Sequence, residues 1–323
     1  MGTTFYEDPR ATLYLGDARA VLVAMSDESA QCCVTSPPYW GLRDYGADGQ
    51  LGMEPTPEEY VANLVEVFRE VRRVLRDDGV LWLNLGDTYN SSPSNQQGGV
   101  GSTLDSRAAA AATVASLGRQ KRAVPGLKPK DLIGIPWRVA LALQADGWWL
   151  RSDIIWHKPN AMPNSQKDRP TTAHEYVFLL AKSEGYFYDF EASKEPAAQP
   201  NRKRADRFGG NKYVEGVKHS DGSIFVGSAT RTPRTVWSIN TQPSGIEHFA
   251  VMAPELARRC IVSGSRPGDV VLDPFNGAGT TGMVAMQRGR RYVGVELNPD
   301  YAQLAVERWQ SEASQHLLFA EGL

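Results

Sequence analysis

The sequence predicts an α/β fold built on a mainly parallel sheet. Residues 31–85 read as strand, helix, strand, and residues 269–312 as strand, helix, strand, helix. That alternation is the pattern of parallel strands joined by crossover helices. The strands themselves are short apolar runs, Val80-Leu81-Trp82-Leu83 and Val270-Val271-Leu272 among them, as expected of strands covered on both faces.

The 323 residues, 41% hydrophobic, suffice for one large α/β domain plus an insertion or a small second domain. No run of about 18 apolar residues occurs, and the N-terminus lacks a basic-then-apolar signal. A cytoplasmic protein without membrane contact is expected. Three cysteines, two of them adjacent, cannot build a disulfide framework, which agrees with a reducing compartment. The five histidines show no metal-ligand spacing, so no metal is expected. A formal charge of −2 conceals basic clusters: Lys121 and Arg122 with Lys128 and Lys130; Arg202, Lys203, Arg204 and Arg207; Arg231 and Arg234. Such clusters suit one polyanion-facing side, though solvated surface accounts for any single one.

Taken in order, residues 11–18 form a strand ending in a Gly-Asp turn, with Asp17 at its carboxyl end. A strand at 31–35 runs into Ser36-Pro37-Pro38-Tyr39-Trp40. The two prolines impose a rigid, extended corner that lacks backbone donors. The helix over 57–76 opens on Pro57-Glu58-Glu59, repeats Leu64, Val67, Phe68, Val71 and Val74 at helical spacing, and is stopped by Asp77-Asp78-Gly79. A buried strand covers 80–85. Residues 90–129 are polar, then alanine-rich, then basic, and read as a mobile loop. A helix at 132–146 precedes two β-rich segments, 148–156 and 174–182, expected as an antiparallel pair at the sheet edge, with Trp148, Trp149 and Trp156 in the core. Residues 191–245 are polar and basic with weak periodicity and read as an inserted module facing a polyanion. Helices at 254–263, 280–288 and 299–312 alternate with strands at 269–273 and 291–296.

Two stretches carry chemistry. At the Ser36-Pro37 corner, a hydroxyl and two carbonyls face outward beside the flat ring of Tyr39. That set suits a planar group bearing an exocyclic amine, although Pro-Pro-Tyr alone is most simply a packed loop. The second stretch, Asp273-Pro274-Phe275-Asn276-Gly277-Ala278-Gly279-Thr280-Thr281, is a strand end, a glycine turn and a helix start, and Glu296 closes the next strand. Gly277, Gly279 and Gly282 fit G-x-G-x-x-G, which raises a dinucleotide oxidoreductase. Asp273 counts against it, since a carboxylate before the loop repels a pyrophosphate and accepts an amino group. The loop also lies late in the chain, and no P-loop accompanies it. A cofactor with an amino acid end and a ribose but no phosphate fits better: S-adenosylmethionine.

Together the two motifs resemble those of the amino-methylating DNA methyltransferases, in the circularly permuted (beta) class with a TSPPY catalytic motif. The resemblance spans most of the chain, leaving out the 90–129 and 191–245 stretches. It implies a Rossmann-like, seven-stranded S-adenosylmethionine-dependent methyltransferase fold with permuted motif order and an inserted target-recognition module. The implied division is residues 1–190 and 246–323 as the catalytic and cofactor-binding halves, with 191–245 as the module. Ser36, Pro37, Pro38 and Tyr39 correspond to the catalytic tetrapeptide. Asp273, Phe275, Gly277, Gly279, Thr280 and Thr281 correspond to the cofactor loop, and Glu296 to the ribose-binding acid. Asp17 sits where the family often has an acid near the adenine, and 248–250 with 254–256 resemble its helix near the methionine end. The DNA contacts expected are Trp40, which either extends the Tyr39 wall or packs, and the basic residues Lys121, Arg122, Arg202, Lys203, Arg204, Arg207, Arg231 and Arg234.

The implied reaction is methylation of an exocyclic amine on double-stranded DNA, with the base flipped out and stacked on Tyr39. Ser at the first tetrapeptide position is the family's common choice for cytosine N4, and Asp or Asn for adenine N6. Cytosine N4 is the expected target, adenine N6 the alternative, and a catalytically silent nucleic-acid-binding protein of the same fold a further one. Ring-carbon methylation needs a cysteine nucleophile, whereas Cys32 and Cys33 belong to a buried strand and Cys260 to a helix. His174-Glu175 lies in a stretch that the family also resembles and is read as architecture, not proton transfer. The resemblance leaves room for a cognate restriction endonuclease, and for a monomer or a homodimer.

Overall fold

The computed structural model describes residues 2–41, 49–90, 124, 126–162, 166–197, 229–241 and 252–321. The chain forms two compact units, one of Met1–Tyr188 with Thr235–Leu323, the other of Asp189–Arg234.

The larger unit begins with β1 (Thr3–Glu7), β2 (Ala11–Leu15), α1 (Ala18–Ala24), β3 (Ala30–Thr35), α2 (Pro57–Val74), β4 (Leu75–Leu85), α3 (Ile135–Ala145), β5 (Trp149–His157) and β6 (His174–Ala181). The smaller unit holds α4 (Phe190–Ser193) and the pair β7 (Glu195–Pro196) and β8 (Thr230–Arg231). The larger unit resumes with β9 (Val236–Ser238), α5 (Pro254–Gly264), β10 (Val270–Asp273), α6 (Thr280–Gln287), β11 (Arg291–Glu296) and α7 (Pro299–Glu321).

Nine strands form one sheet in the order β1-β2-β11-β10-β3-β4-β6-β5-β9. The run from β2 to β4 is parallel, β6 is antiparallel to both its neighbours β4 and β5, and β1 (antiparallel to β2) and β9 (parallel to β5) are added at the two edges of this seven-stranded frame. Both faces are covered, and the pleat assigns each residue to one of them. Cys32, Val34, Val80 and Trp82 enter the core shared with α5, α6 and α7. Cys33, Leu81 and Leu83 enter the core shared with α2 and α3. Continuous apolar strands are therefore required here, since neither face meets water.

α2 illustrates the agreement between local and tertiary signals. Thr56 caps it by accepting from Glu59 N (3.2 Å), Pro57 opens it, Glu58 and Glu59 face its positive end, and Arg72 and Arg73 its negative end. Its apolar stripe, with Leu64, Phe68 and Val71 fully buried, packs on the sheet.

Several expectations change. Asp77-Asp78-Gly79 does not stop a helix: α2 ends at Val74, and these residues form a bulge inside β4, between the pairs Ala30–Leu75 and Cys32–Val80. The bulge is held by Gln31 Nε2 donating to Asp78 Oδ1 (3.1 Å) and by Phe187 N and Lys182 N donating to the carbonyls of Asp78 and Gly79. The β5–β6 pair is antiparallel as expected but is not the edge, because β9 pairs in parallel with β5. Residues from Thr235 onward therefore group with the sheet and not with the inserted segment; Trp237 anchors them in the core. Trp148 and Trp156 are buried, whereas Trp149 is 45% exposed, because alternate residues of β5 face away from the packed side. α7 continues past residue 312, the helix end that the sequence suggests. Most of the 90–129 stretch lies outside the described residues. Its two ends are tied by the buried Asn90, whose Oδ1 accepts from Val124 N (2.8 Å) and whose Nδ2 donates to Leu127 O (2.9 Å).

Candidate active site

The crossover from β10 to β11 runs through α6 on one face, and that from β3 to β4 through α2 on the other. The chain thus changes direction between β10 and β3, and open α/β sheets bind ligands at the carboxyl ends of the strands flanking such a point. A cavity of about 660 Å³ lies there.

The glycine loop forms one wall. Asp273, the last residue of β10, is 3% exposed and accepts from Thr35 Oγ1 (2.6 Å), from Phe275 N (3.0 Å) and from the Thr281 hydroxyl. Burial pushes its carboxyl up to about 6 against these three donors. Glu296, at the end of β11, accepts from Gly277 N at Oε2 (2.7 Å) and from Asn298 N at Oε1 (2.9 Å). Burial raises it too, and the backbone donors pull it down. Among the described residues, no Lys or Arg bears on either carboxylate. Two buried or half-buried acids side by side without a counter-cation are costly, and a cationic ligand relieves that cost. Gly277 sits at φ +50°, and a Cβ there would meet no atom closer than 4.0 Å, so its backbone is bare toward the cavity. Gly279 has another reason: at φ +74°, a Cβ there would come within 2.7 Å of Ala305 and Trp309, and its carbonyl accepts from Trp309 Nε1 (2.8 Å). It packs α6 against α7 and does not line the cavity, contrary to the expected cofactor contact. Phe275, Thr280 and Thr281 do line it, as does Asp17. Asp17 is exposed and caps α1 by accepting from Ala20 N (2.9 Å).

The opposite wall is the proline corner. Ser36, Pro37, Pro38 and Tyr39 all line the cavity. The Pro38 carbonyl accepts from Tyr60 Oη (2.8 Å), which ties the corner to α2. Tyr39 lies flat on Gly86, where a Cβ would fall 2.6 Å from its ring. Its hydroxyl accepts from Ser36 Oγ (3.2 Å) and lies 2.8 Å from Glu175 Oε2 and 3.3 Å from Asn84 Oδ1. Burial and the charge of Glu175 hold the phenol well above its usual range, so it stays protonated. Lys158 pairs with the other oxygen of Glu175 and lies 4.3 Å over the Trp156 ring.

Asn84, Lys158 and Glu175 line the cavity, although the sequence does not mark them as site residues. Asn84 carries a signal, as the one amide in the apolar run Val80–Leu85; Glu175 becomes its neighbour only through β4–β6 pairing. Trp40 is the reverse case. It is 4% exposed, donates from Nε1 to Glu54 O (3.0 Å) and packs in the α2 core, so it is not a wall for a base. Arg231 is paired with Glu195 (3.2 Å) within the smaller unit, and Arg234 is exposed. Lys121, Arg122, Arg202, Lys203, Arg204, Arg207 and the 248–250 segment lie outside the described residues. Cys32, Cys33 and Cys260 are buried, and desolvation raises all three thiols, so none is a reactive thiolate.

A permuted parallel sheet, with acids ending β10 and β11 and a Ser-Pro-Pro-Tyr corner ending β3, defines an S-adenosylmethionine-dependent methyltransferase. S-adenosylmethionine, a cation that carries a ribose diol, fits a wall with two acids and no counter-cation among the described residues. The family model described as DNA methylase matches residues 30–307, and the chain belongs to this family of amino-methylating DNA methyltransferases. It is 48% identical to the type II methyltransferase M.Cfr9I of Citrobacter freundii over 94% of this chain and 88% of that one. It is 47% identical to M.SmaI of Serratia marcescens over 92% and 89%. Among solved structures, TTHA0409 of Thermus thermophilus, complexed with S-adenosyl-L-methionine, matches with a TM-score of 0.57 at 28% identity, covering 94% of this chain and 95% of that one. The PvuII DNA methyltransferase (cytosine-N4-specific) shares the fold, with a TM-score of 0.62 at 20% identity over 94% and 87%. The protein is thus an S-adenosylmethionine-dependent enzyme of type II DNA modification that methylates an exocyclic amine. Among the described residues, no helix is long and apolar enough to cross a membrane.

Proposed function

We propose that the enzyme methylates N4 of a cytosine flipped out of double-stranded DNA. The observation that carries the choice of base is Ser36, whose short hydroxyl, and not a carboxylate or amide, stands first in the tetrapeptide and lines the cavity. The bound cofactor supplies a methyl group already activated on a positive sulfur. Ser36 and the Pro37 carbonyl accept the amino N–H bonds and turn the nitrogen lone pair toward the cofactor side, with Tyr39 offering its ring to the base. Asp273 faces the cationic amino acid end; Glu296 and the bare backbone at Gly277 receive the ribose; Phe275, Thr280 and Thr281 complete that wall, and Asp17 borders the adenine.

The basic residues of the 191–245 stretch read the target sequence, and Lys121 and Arg122 of the 90–129 stretch clamp phosphates. The enzyme works in the cytoplasm, where its DNA is, beside a restriction endonuclease of the same specificity, as a monomer or a homodimer. Digestion of methylated DNA to nucleosides, followed by mass spectrometry, tests the base. N4-methylcytosine is expected; N6-methyladenine as the sole product would overturn the choice of base.

A further inference from the structure

Tyr39 has one hydroxyl proton and three polar neighbours, and counting donors fixes where that proton goes. The Asn84 amide is oriented by its own bonds: Nδ2 donates to the Tyr176 carbonyl (3.1 Å) and to Glu175 Oε2 (3.1 Å), which turns Oδ1 toward Tyr39 (3.3 Å). Glu175 Oε2 is a second acceptor, closer (2.8 Å) and charged. Lys158 pairs with Oε1 of this mostly buried carboxylate, leaving Oε2 to face Tyr39. A phenol facing a carboxylate and an amide oxygen must donate to one of them, and charge and distance select Glu175. Its oxygen can then only accept from the third neighbour, Ser36 Oγ (3.2 Å). Ser36 has spent its proton and faces the cavity with lone pairs alone.

We infer that Glu175 is a positioning residue for methyl transfer: through Tyr39 it fixes the direction of a three-member hydrogen-bond chain, so that Ser36 is always an acceptor toward the substrate amine. A free serine hydroxyl points its proton anywhere, and pointed at the amine it would bind the lone pair that has to react. Glu175, held by Lys158 and Asn84, removes that choice before substrate arrives. The inference rests on the reading of Ser36 as the amine's acceptor and goes beyond it by naming what sets the hydroxyl's polarity.

The chain can be cut at either link without shortening the side chains that pack. In Glu175→Gln the charge that draws the Tyr39 proton is lost and the amide can donate to Tyr39, so the chain no longer has a single direction and Ser36 regains the freedom to donate. In Tyr39→Phe the ring stays and the relay atom is lost. Single-turnover transfer of tritiated methyl to unmethylated double-stranded phage DNA should slow at least tenfold in each variant, with S-adenosylmethionine affinity within twofold of the parent by calorimetry. The double variant should be no slower than the slower single one, because both changes break one chain. Losses that multiply, or a single variant within twofold of the parent rate, would overturn the inference. If Glu175→Gln fails to bind cofactor, Tyr39→Phe decides alone by the same limit. Ser36→Ala run in parallel separates the two readings. A crippled Ser36→Ala with multiplying losses in the other two sinks only the role of Glu175. An unaffected Ser36→Ala sinks the acceptor role of Ser36 itself.

Discussion

Thr35 Oγ1 donates to Asp273 Oδ1 across 2.6 Å, joining the last residue of β3 to the last residue of β10 over 238 positions of sequence. The bond is buried and sits at the point where the two crossover directions part. It fastens the catalytic corner to the cofactor loop, since Ser36 follows Thr35 directly and Phe275 N is bound by the same carboxylate. The bond reinforces the parallel pairing of β3 with β10 at the point where the corner and the glycine loop leave the sheet, in a site where misplacement by an ångström is costly.

On the proposed function, Asp273→Ala removes the carboxylate that faces the cofactor's cationic amino acid end. S-adenosylmethionine affinity should fall by about 2–4 kcal/mol, roughly 30- to 1,000-fold, while DNA affinity stays within about threefold. Calorimetry with each ligand checks the split, and unchanged cofactor affinity would remove Asp273 from the site.

The raised carboxyl of Asp273 makes stability depend on pH. Its pKa of about 6 in the fold, against an ordinary 3.8, means the native state holds a proton that the unfolded chain releases. The stabilisation is complete below about pH 4 and is lost as pH rises through about 6, by about 3 kcal/mol. Cofactor affinity runs the opposite way, rising over the same interval as the carboxylate ionises. Melting temperatures of parent and Asp273→Asn protein between pH 4.5 and 7 should diverge accordingly, the parent losing more on the alkaline side. Parallel curves would refute the linkage.

Gly86 is the bed on which Tyr39 lies. Gly86→Ala brings a methyl to 2.6 Å from the ring and must shift it, moving the hydroxyl chain as well. Turnover should fall on the order of 10- to 100-fold, with cofactor affinity retained because the glycine loop is on the other wall. Equal losses in both would mean that the whole sheet end had moved.

Phosphate pairing is read from salt dependence. Replacing Arg202, Lys203 and Arg204 together by alanine should reduce the slope of log affinity against log salt by roughly 3, about 0.9 for each phosphate no longer neutralised. Arg234→Ala should reduce it by about 0.9. Arg231→Ala should change it less, because Arg231 is engaged with Glu195. Slopes unchanged in the triple variant would exclude these residues from the DNA path.

The parts of the site that are legible in the sequence are those in which the backbone sets the geometry. Asp273, Gly277 and Glu296 follow from strand ends and a turn, and Ser36 to Tyr39 from two prolines, all local features. Glu175 and Lys158 are not legible as site residues. Their meeting with Tyr39 depends on the register of β6 against β4 and β5, which no local pattern encodes. Trp40 misleads because an aromatic beside a proline corner can face either way, and α2 offers it a core while Glu54, ahead of that helix, offers a carbonyl. The three residues of β9 are too few to show alternation, and Asp77-Asp78-Gly79 has the same composition whether it ends a helix or bulges a strand.

The strand order has a consequence for how the protein is made. β2 and β3 are neighbours in sequence, joined only through α1, yet β11 and β10 stand between them in the sheet. During synthesis from the N-terminus, the ribosome releases β2 and β3 long before the pair that must slot into the gap, which is three strand spacings wide, about 14 Å. The nascent chain must hold that gap open or fill it wrongly until residue 296 emerges. Folding is therefore dominated by pairings of high sequence separation and is expected to be slow. A translation product that stops before residue 296 lacks a complete β11 and its Glu296, and so cannot assemble the pocket.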